Sequence, residues 1–360
     1  MIIMNVIDKF LISNFEAEST IKNYRSSLNM YFKILKVNPD DYFKGNRDYK
    51  ADVKTFWMSI SKNAPKTRLN RLSAIKNFLE EYDIDLPSKF WKKLKKRMQG
   101  SSRAITIDRI PTPYELRQIL QHGDSMTRAI TLIASSSGMR IGEILSILPT
   151  DVDFDSNPTK ITIRGILTKS GDPRITFISN EATEALKEWL KVKDEWQRVA
   201  IAKSRNICEK NPDDKRLFPI NHSSYTKKWT RLLTKSKLAK RDPNSGILTL
   251  HTHVLRKYFE TRMSLASVPE AVYQQLEGHE GYLDGSYKRY TEEELKQAYL
   301  KGLPSILVFE SKPDLTETHK EIDDLKKENA EMQKMMEEMK SQILELRLEK
   351  LEKMNGIKKK

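Results

Sequence analysis

Apolar residues recur at helical spacing along nearly the whole chain, and the pattern changes to alternation only around 160–164 and 174–178. Spacings of three, four and seven bury one stripe of a helix, whereas alternation buries one face of a strand. A mainly α fold with a small β-hairpin follows, and Lys169-Ser170-Gly171-Asp172 supplies the turn between the two strands. Lys169 is thereby placed near the hairpin tip.

Three regions separate on composition. Residues 1–100 read as a helical domain. In it Ser19 or Thr20 can cap a helix with Ile21, Tyr24, Leu28, Tyr31 and Phe32 inward. A second helix after Pro65 turns Leu69, Leu72, Ile75, Phe78 and Leu79 inward, and its other face holds Lys66, Arg68, Arg71 and Lys76. Such a face is either a solvated surface or a phosphate-binding one. The formal charge of +15 and the basic run Lys92-Lys93-Leu94-Lys95-Lys96-Arg97 favour the second. A polar stretch without periodicity marks a linker over 101–106, and a second domain runs over 107–310.

Over 315–355 the composition turns to Glu, Lys, Met and Leu in heptad register. Ile322, Asn329, Met336 and Ile343 occupy one core series, and Leu325, Met332, Met339 and Leu346 the other. This reads as a self-associating coiled-coil tail, or as a single helix folded back on the second domain. An Asn in a core series favours a two-stranded pairing in fixed register.

No window of about 18 apolar residues exists, so no membrane-spanning helix is expected. Met1-Ile2-Ile3-Met4 lacks the basic start and cleavage site of a signal peptide. Cys208 is the single cysteine, and no Cys/His grouping has zinc-ligand spacing. The net charge leaves DNA, RNA or an anionic membrane surface open as the polyanionic partner, and a cytoplasmic protein without metal or cofactor is the expectation.

Five segments between residues 140 and 290 carry polar groups suited to one phosphodiester: Arg140, Lys169, the pair His253 and Arg256, His279, and a tyrosine among Tyr282, Tyr287 and Tyr290. An Arg fork donates two parallel hydrogen bonds to phosphate oxygens, and a phenol can store the phosphate as an ester. Glu143 stands one turn after Arg140, where it can orient the guanidinium. His253 and Arg256 fall on one helix face; His251 is a nearby alternative, and Lys227, Lys228 and Arg174 are further cations. Arg174 is also counted among the DNA-binding candidates.

Taken together, Ser135-Ser136-Ser137-Gly138-Met139-Arg140, Thr168-Lys169-Ser170-Gly171, His253-Val254-Leu255-Arg256 and Gly278-His279 resemble the tyrosine recombinase (phage integrase) family over about 107–310. The segment from Leu283 to Leu295 is most similar to integrases of archaeal viruses and plasmids. The resemblance implies a helical core-binding domain followed by a mixed α/β catalytic domain. It implies Arg140, Lys169, His253, Arg256 and His279 as catalytic residues. Its His-x-Leu-Arg pattern selects His253 over His251, and in the archaeal integrases the first tyrosine of the segment is the nucleophile, which selects Tyr287. The usual offset from the histidine is about nine residues, and neither Tyr287 nor Tyr290 meets it.

The implied activity is site-specific recombination of double-stranded DNA through a 3′-phosphotyrosine, integrating or excising a mobile element. A tetramer of protomers would assemble on DNA, with the tail self-associating. The alternatives are a chromosome-dimer resolvase, a type IB topoisomerase-like strand transferase and a non-catalytic architectural DNA-binding protein.

Overall fold

The computed structural model describes residues 4–96, 107–168, 170–203, 211–278, 290–309, 330–341 and 343, and the chain divides into two compact units, Met1–Ile107 and Asp108–Lys360. The first unit contains helices α1 (Val6–Asn14), α2 (Glu18–Leu35), α3 (Tyr49–Ser59), α4 (Pro65–Glu81) and α5 (Ser88–Lys96). Its core is aromatic: Phe10, Tyr31, Phe32, Tyr42, Phe56, Trp57 and Phe78 are buried. Most of the ring contacts among them are edge-to-face, the arrangement that the ring quadrupole favours.

Two details of this unit differ from the sequence reading. Helix α2 starts at Glu18 behind Ala17, which makes no side-chain cap, so Ser19 and Thr20 lie inside the first turn. The Glu18 carboxylate sits where the helix dipole favours an anion. Arg68 is not on the basic face of α4. It precedes Leu72 by four and Ile75 by seven, so it shares their inward stripe, and its guanidinium lies 4.0 Å over the Trp57 ring. Lys66 is exposed; Arg71 donates to the Met30 sulfur, and Lys76 pairs with Glu80 at 3.1 Å.

The second unit is built around α7 (Ser125–Ser137). The Asp124 carboxylate caps it by accepting from Thr127 N at 2.8 Å. From Met126 to Ser137 every residue except Arg128 is buried, the signature of a helix surrounded by protein on all sides. Ser135, Ser136 and Ser137 stay in that interior because each hydroxyl donates to a carbonyl of the preceding turn, at 3.2, 2.7 and 2.6 Å. Around α7 pack α6 (Pro113–Gln121), α9 (Asn180–Ala202), α10 (His222–Lys235), α11 (Val254–Leu265) and α13 (Glu292–Ile306), with the short helices α8 (Ile141–Ile144) and α12 (Glu270–Glu277) beside them. Tyr299 of α13 is buried, and its hydroxyl donates to Ser136 O at 2.9 Å.

One antiparallel sheet of order β1-β2-β3 interrupts the helices: β1 (Val152–Asp153), β2 (Thr159–Ile163) and β3 (Arg174–Ile178). Ile163 pairs with Arg174 and Lys160 with Phe177, so the expected hairpin is present with a two-residue edge strand added. Beyond α13, Val308 and Phe309 donate their backbone N–H groups to the Glu181 carboxylate at 2.8 and 2.6 Å, while Arg117 donates to Val308 O. Residues 330–341 are helical; Met332, Met336, Met339 and Ile343 on this segment are exposed. The heptad residues Ile322, Leu325, Asn329 and Leu346 lie outside the described residues. No described helix is long and apolar enough to cross a membrane.

Candidate active site

The end of α7 and the two segments that follow from α11 and α12 converge on one turn. Gly138 closes α7 at φ +65°, a left-handed conformation, and a Cβ there would lie 2.5 Å from Phe259 Cδ1 and 2.7 Å from Glu277 Cγ. Only glycine fits both the dihedral and the space. The turn releases Arg140 at the N-cap of α8, where its side chain is about one-third exposed.

Glu143, one turn later, accepts from Arg140 N at 2.8 Å and from its Nη1 at 3.0 Å, and it also receives Arg174 in a two-pronged pair, Nη1 at 3.2 Å and Nη2 at 2.7 Å. Burial alone would raise the Glu143 carboxyl. The hydrogen bonds and charge of Arg174, followed by those of Arg140, instead hold it below the usual carboxylate range. Arg174 is itself nearly buried and spends its Nε on Leu276 O at 3.1 Å. All three of its guanidinium nitrogens are thus bonded to protein, which makes it a strut between β3, α8 and α12. The DNA-binding candidates therefore do not share one surface, since both Arg68 and Arg174 point into protein.

Arg256 is only 3 % exposed. Its Nη1 donates to Gly138 O at 2.8 Å, which ties α11 to the turn before Arg140. The other edge of its fork, Nε and Nη2, makes no hydrogen bond among the described residues, and Nη2 faces Glu277 Oε2 at 3.4 Å. Burial pushes its pKa down, yet a guanidinium remains charged at neutral pH.

His253 stands at the N-cap of α11 with its ring at the surface. Desolvation first, and then the charges of Arg256, His251, Lys257 and Arg140, hold its pKa below the ordinary imidazole value. His251 is engaged elsewhere. Its Nε2 lies 3.1 Å from Asp108 Oδ2, which also accepts from Lys257 Nζ at 2.7 Å, and its Nδ1 accepts from His253 N. That network assigns the His251 proton to Nε2. Among the competing cations, Lys228 donates to Asp124 at 2.7 Å.

Three site residues read from the sequence, Lys169, His279 and Tyr287, lie outside the described residues, as does Tyr282. Their neighbours are placed. Thr168 and Ser170 belong to the β2–β3 connection, Gly278 ends α12 at φ +70°, and Tyr290 packs partly buried against the core just before α13. Sequence reasoning missed Glu277, which is fully buried beside Arg256. Its one signal is an acidic residue closing a helix whose spacing otherwise buries Val272, Tyr273 and Leu276.

A buried guanidinium, a second arginine about one-third exposed and a histidine of lowered pKa thus stand together on a helical scaffold. The phage integrase family model matches residues 111–297, over half of the chain. Tyrosine recombinase XerA of Saccharolobus solfataricus is 27 % identical over 179 residues, 49 % of this chain and 50 % of the relative. Tyrosine recombinase XerC of Staphylococcus carnosus is 22 % identical over 304 residues, 81 % of this chain and 94 % of the relative. Among solved structures, a lambda integrase dimer bound to a core site aligns with a TM-score of 0.52 at 13 % identity, covering 80 % of this chain and 97 % of that one. The Tn1549 transposon integrase in complex with circular intermediate DNA aligns at 0.51 and 16 %, covering 82 % and 99 %. The chain belongs to the phage integrase family: it is a site-specific DNA recombinase of the tyrosine type.

Proposed function

We propose that the chain cleaves double-stranded DNA at attachment sites through a 3′-phosphotyrosine on Tyr287 and so integrates or excises a mobile element. The observation that carries this reading is Arg256, a nearly buried guanidinium whose Nε and Nη2 make no hydrogen bond among the described residues, Nη2 being ion-paired to Glu277 at 3.4 Å. Buried donors that make no hydrogen bond call for a ligand, and a non-bridging phosphate oxygen pair matches that edge. Arg140 supplies the second cation, aimed by Glu143.

In the proposed step the Tyr287 oxygen attacks phosphorus as its proton passes to His253, neutral at working pH. The bond to the 5′ oxygen breaks, and the Lys169 ammonium gives that departing oxygen its proton, leaving a 5′ hydroxyl and a neutral amine. His279 donates to a phosphate oxygen, and the two arginines hold the charge of the pentavalent transition state. Rejoining runs the same steps in reverse, so the phosphodiester energy is kept.

Lys66, Arg71 and Lys76 on α4 are proposed as backbone contacts that position the first unit on DNA. Several protomers would act together, as in the lambda integrase tetramer bound to a Holliday junction. Exposure of Met332, Met336, Met339 and Ile343 supports pairing of the 315–355 tail with a second copy over a fold-back helix. The Xer-type relatives fit a second reading, a chromosome-dimer resolvase.

The test is a duplex selected by the full chain from a random pool and nicked beside the cleavage point, so that the covalent intermediate is trapped. Tyr287→Phe should form no adduct yet bind the duplex, Tyr290→Phe should form it, and peptide mapping of the DNA-linked fragment should return Tyr287. An adduct on Tyr290 reassigns the nucleophile. Absence of any adduct from the parental chain refutes the enzymatic mechanism and leaves an architectural binder.

A further inference from the structure

Glu277 has no role in the chemistry above, although it touches the centre of it. Its side chain is fully buried, its Oε2 lies 3.4 Å from Arg256 Nη2, and its Cγ and Oε1 press against the Gly138 turn that leads to Arg140. Through Gly278 it is joined directly to His279. One carboxyl therefore contacts the arginine, adjoins the turn that presents the other arginine, and precedes the histidine. It also occupies the edge of Arg256 that a phosphate would need.

We propose that Glu277 is a positioning residue whose ionised form holds the Arg256 fork and whose protonated form yields it to the scissile phosphate. The inference rests on the reading of Arg256 as a phosphate clamp. Two anions cannot share one buried guanidinium edge without large repulsion, and a buried carboxylate escapes that repulsion by neutralising. Protonated, the side chain keeps its shape and its packing against Gly138, while Nη2 is released to the phosphate. Phosphate binding and proton uptake are then linked, so binding at this site weakens as pH rises and Glu277 ionises.

The surroundings allow such a proton to be held near neutral pH. Arg256 and Glu260 face Glu277 from α11, Arg140 from the turn before α8, Arg174 from β3 and Tyr273 from its own helix. Burial outweighs the attraction of the arginines, and the carboxyl is pushed up to about 8.

The experiment compares the full chain with Glu277→Gln, which mimics the protonated form, in single-turnover adduct formation on the nicked duplex between pH 6.5 and 9. The ratio of variant to parental rate should be near one at pH 6.5 and rise to about tenfold at pH 9, as expected for a group that titrates near 8 and must be protonated. Taking the ratio removes the pH dependence of the phenol and the histidines, which both proteins share. A ratio that stays flat overturns the proposal, because a purely structural Glu277 shifts the rate equally at all pH values.

If the variant does not fold, the parental chain alone decides. Calorimetry of its binding to the intact duplex in two buffers of different ionisation enthalpy should show proton uptake that sets in near pH 8 and grows above it. No uptake, or uptake confined to the acid side of neutrality, overturns the proposal. Arg256→Ala separates the layers: cleavage at the parental rate refutes the clamp itself, whereas an inactive Arg256→Ala with a flat Glu277→Gln ratio leaves the clamp standing and removes Glu277.

Discussion

Replacing Arg174 by Ala tests whether a cation in the site serves the fold or the DNA. Its side chain is 9 % exposed and that of its partner Glu143 is 3 %. Removing one member of a buried ion pair leaves the other charged and desolvated, a loss of about 3–5 kcal/mol. Glu143 keeps its two bonds from Arg140, at 2.8 and 3.0 Å, so the lower end of that range, about 3 kcal/mol, applies. For a unit of this size each kcal/mol moves the midpoint by about 2–4 °C, which gives a fall of about 6–12 °C. Thermal unfolding of the full chain, followed by calorimetry, reads this directly.

The pH dependence carries a sign. Glu143 has a folded pKa below its unfolded value, so the pair stabilises fully above the unfolded carboxyl pKa and is lost as pH falls through the folded one. The gap between parental chain and variant should therefore be widest near neutrality and shrink in acid. Affinity for the selected duplex, measured well below the variant's midpoint, should change little. A variant that melts with the parental chain and yet binds DNA more weakly would refute the strut and restore Arg174 as a phosphate contact.

Arg140→Ala and Arg256→Ala should each slow adduct formation by about 2.7–4 kcal/mol of transition-state stabilisation, with a smaller effect on binding. Single-turnover rates on the nicked duplex measure this, and parental rates in both variants would remove the clamp. Adduct formation should also persist in EDTA, because the proposed groups are cations and a phenol, and a requirement for Mg²⁺ in cleavage would contradict them. Deleting 315–355 should spare cleavage of a single site and impair joining of two sites. Asn329→Leu should change oligomer state or register, as read by light scattering of the full chain; unchanged recombination without the tail would favour the fold-back helix.

Periodicity was enough for the helical class, the hairpin and most inward residues of α2 and α4, because burial repeats along the chain. Local sequence could not show Arg68 under the surface: a charged residue in an apolar stripe looks like an error in the stripe until a ring such as Trp57 is seen beneath it. The same holds at the site. Arg140, His253 and Arg256 stand in recognisable strings, whereas the roles of Arg174 and Glu277 come from partners far away in the chain, Glu143 and Arg256. The engagement of His251 with Asp108, 143 residues away, was equally invisible in the sequence.

The enclosure of α7 also governs how the site breathes. Amide hydrogens of a helix covered on every side have no local opening that admits solvent, so they exchange with deuterium only when the whole unit unfolds. The amides of Ala129 to Ser137 should thus mark the slowest class in the protein, and the peptide groups of Gly138 to Arg140 hang directly from that immobile end. The backbone that carries Arg140 is therefore expected to open last, which leaves this arm of the clamp only the rotations of its own side chain.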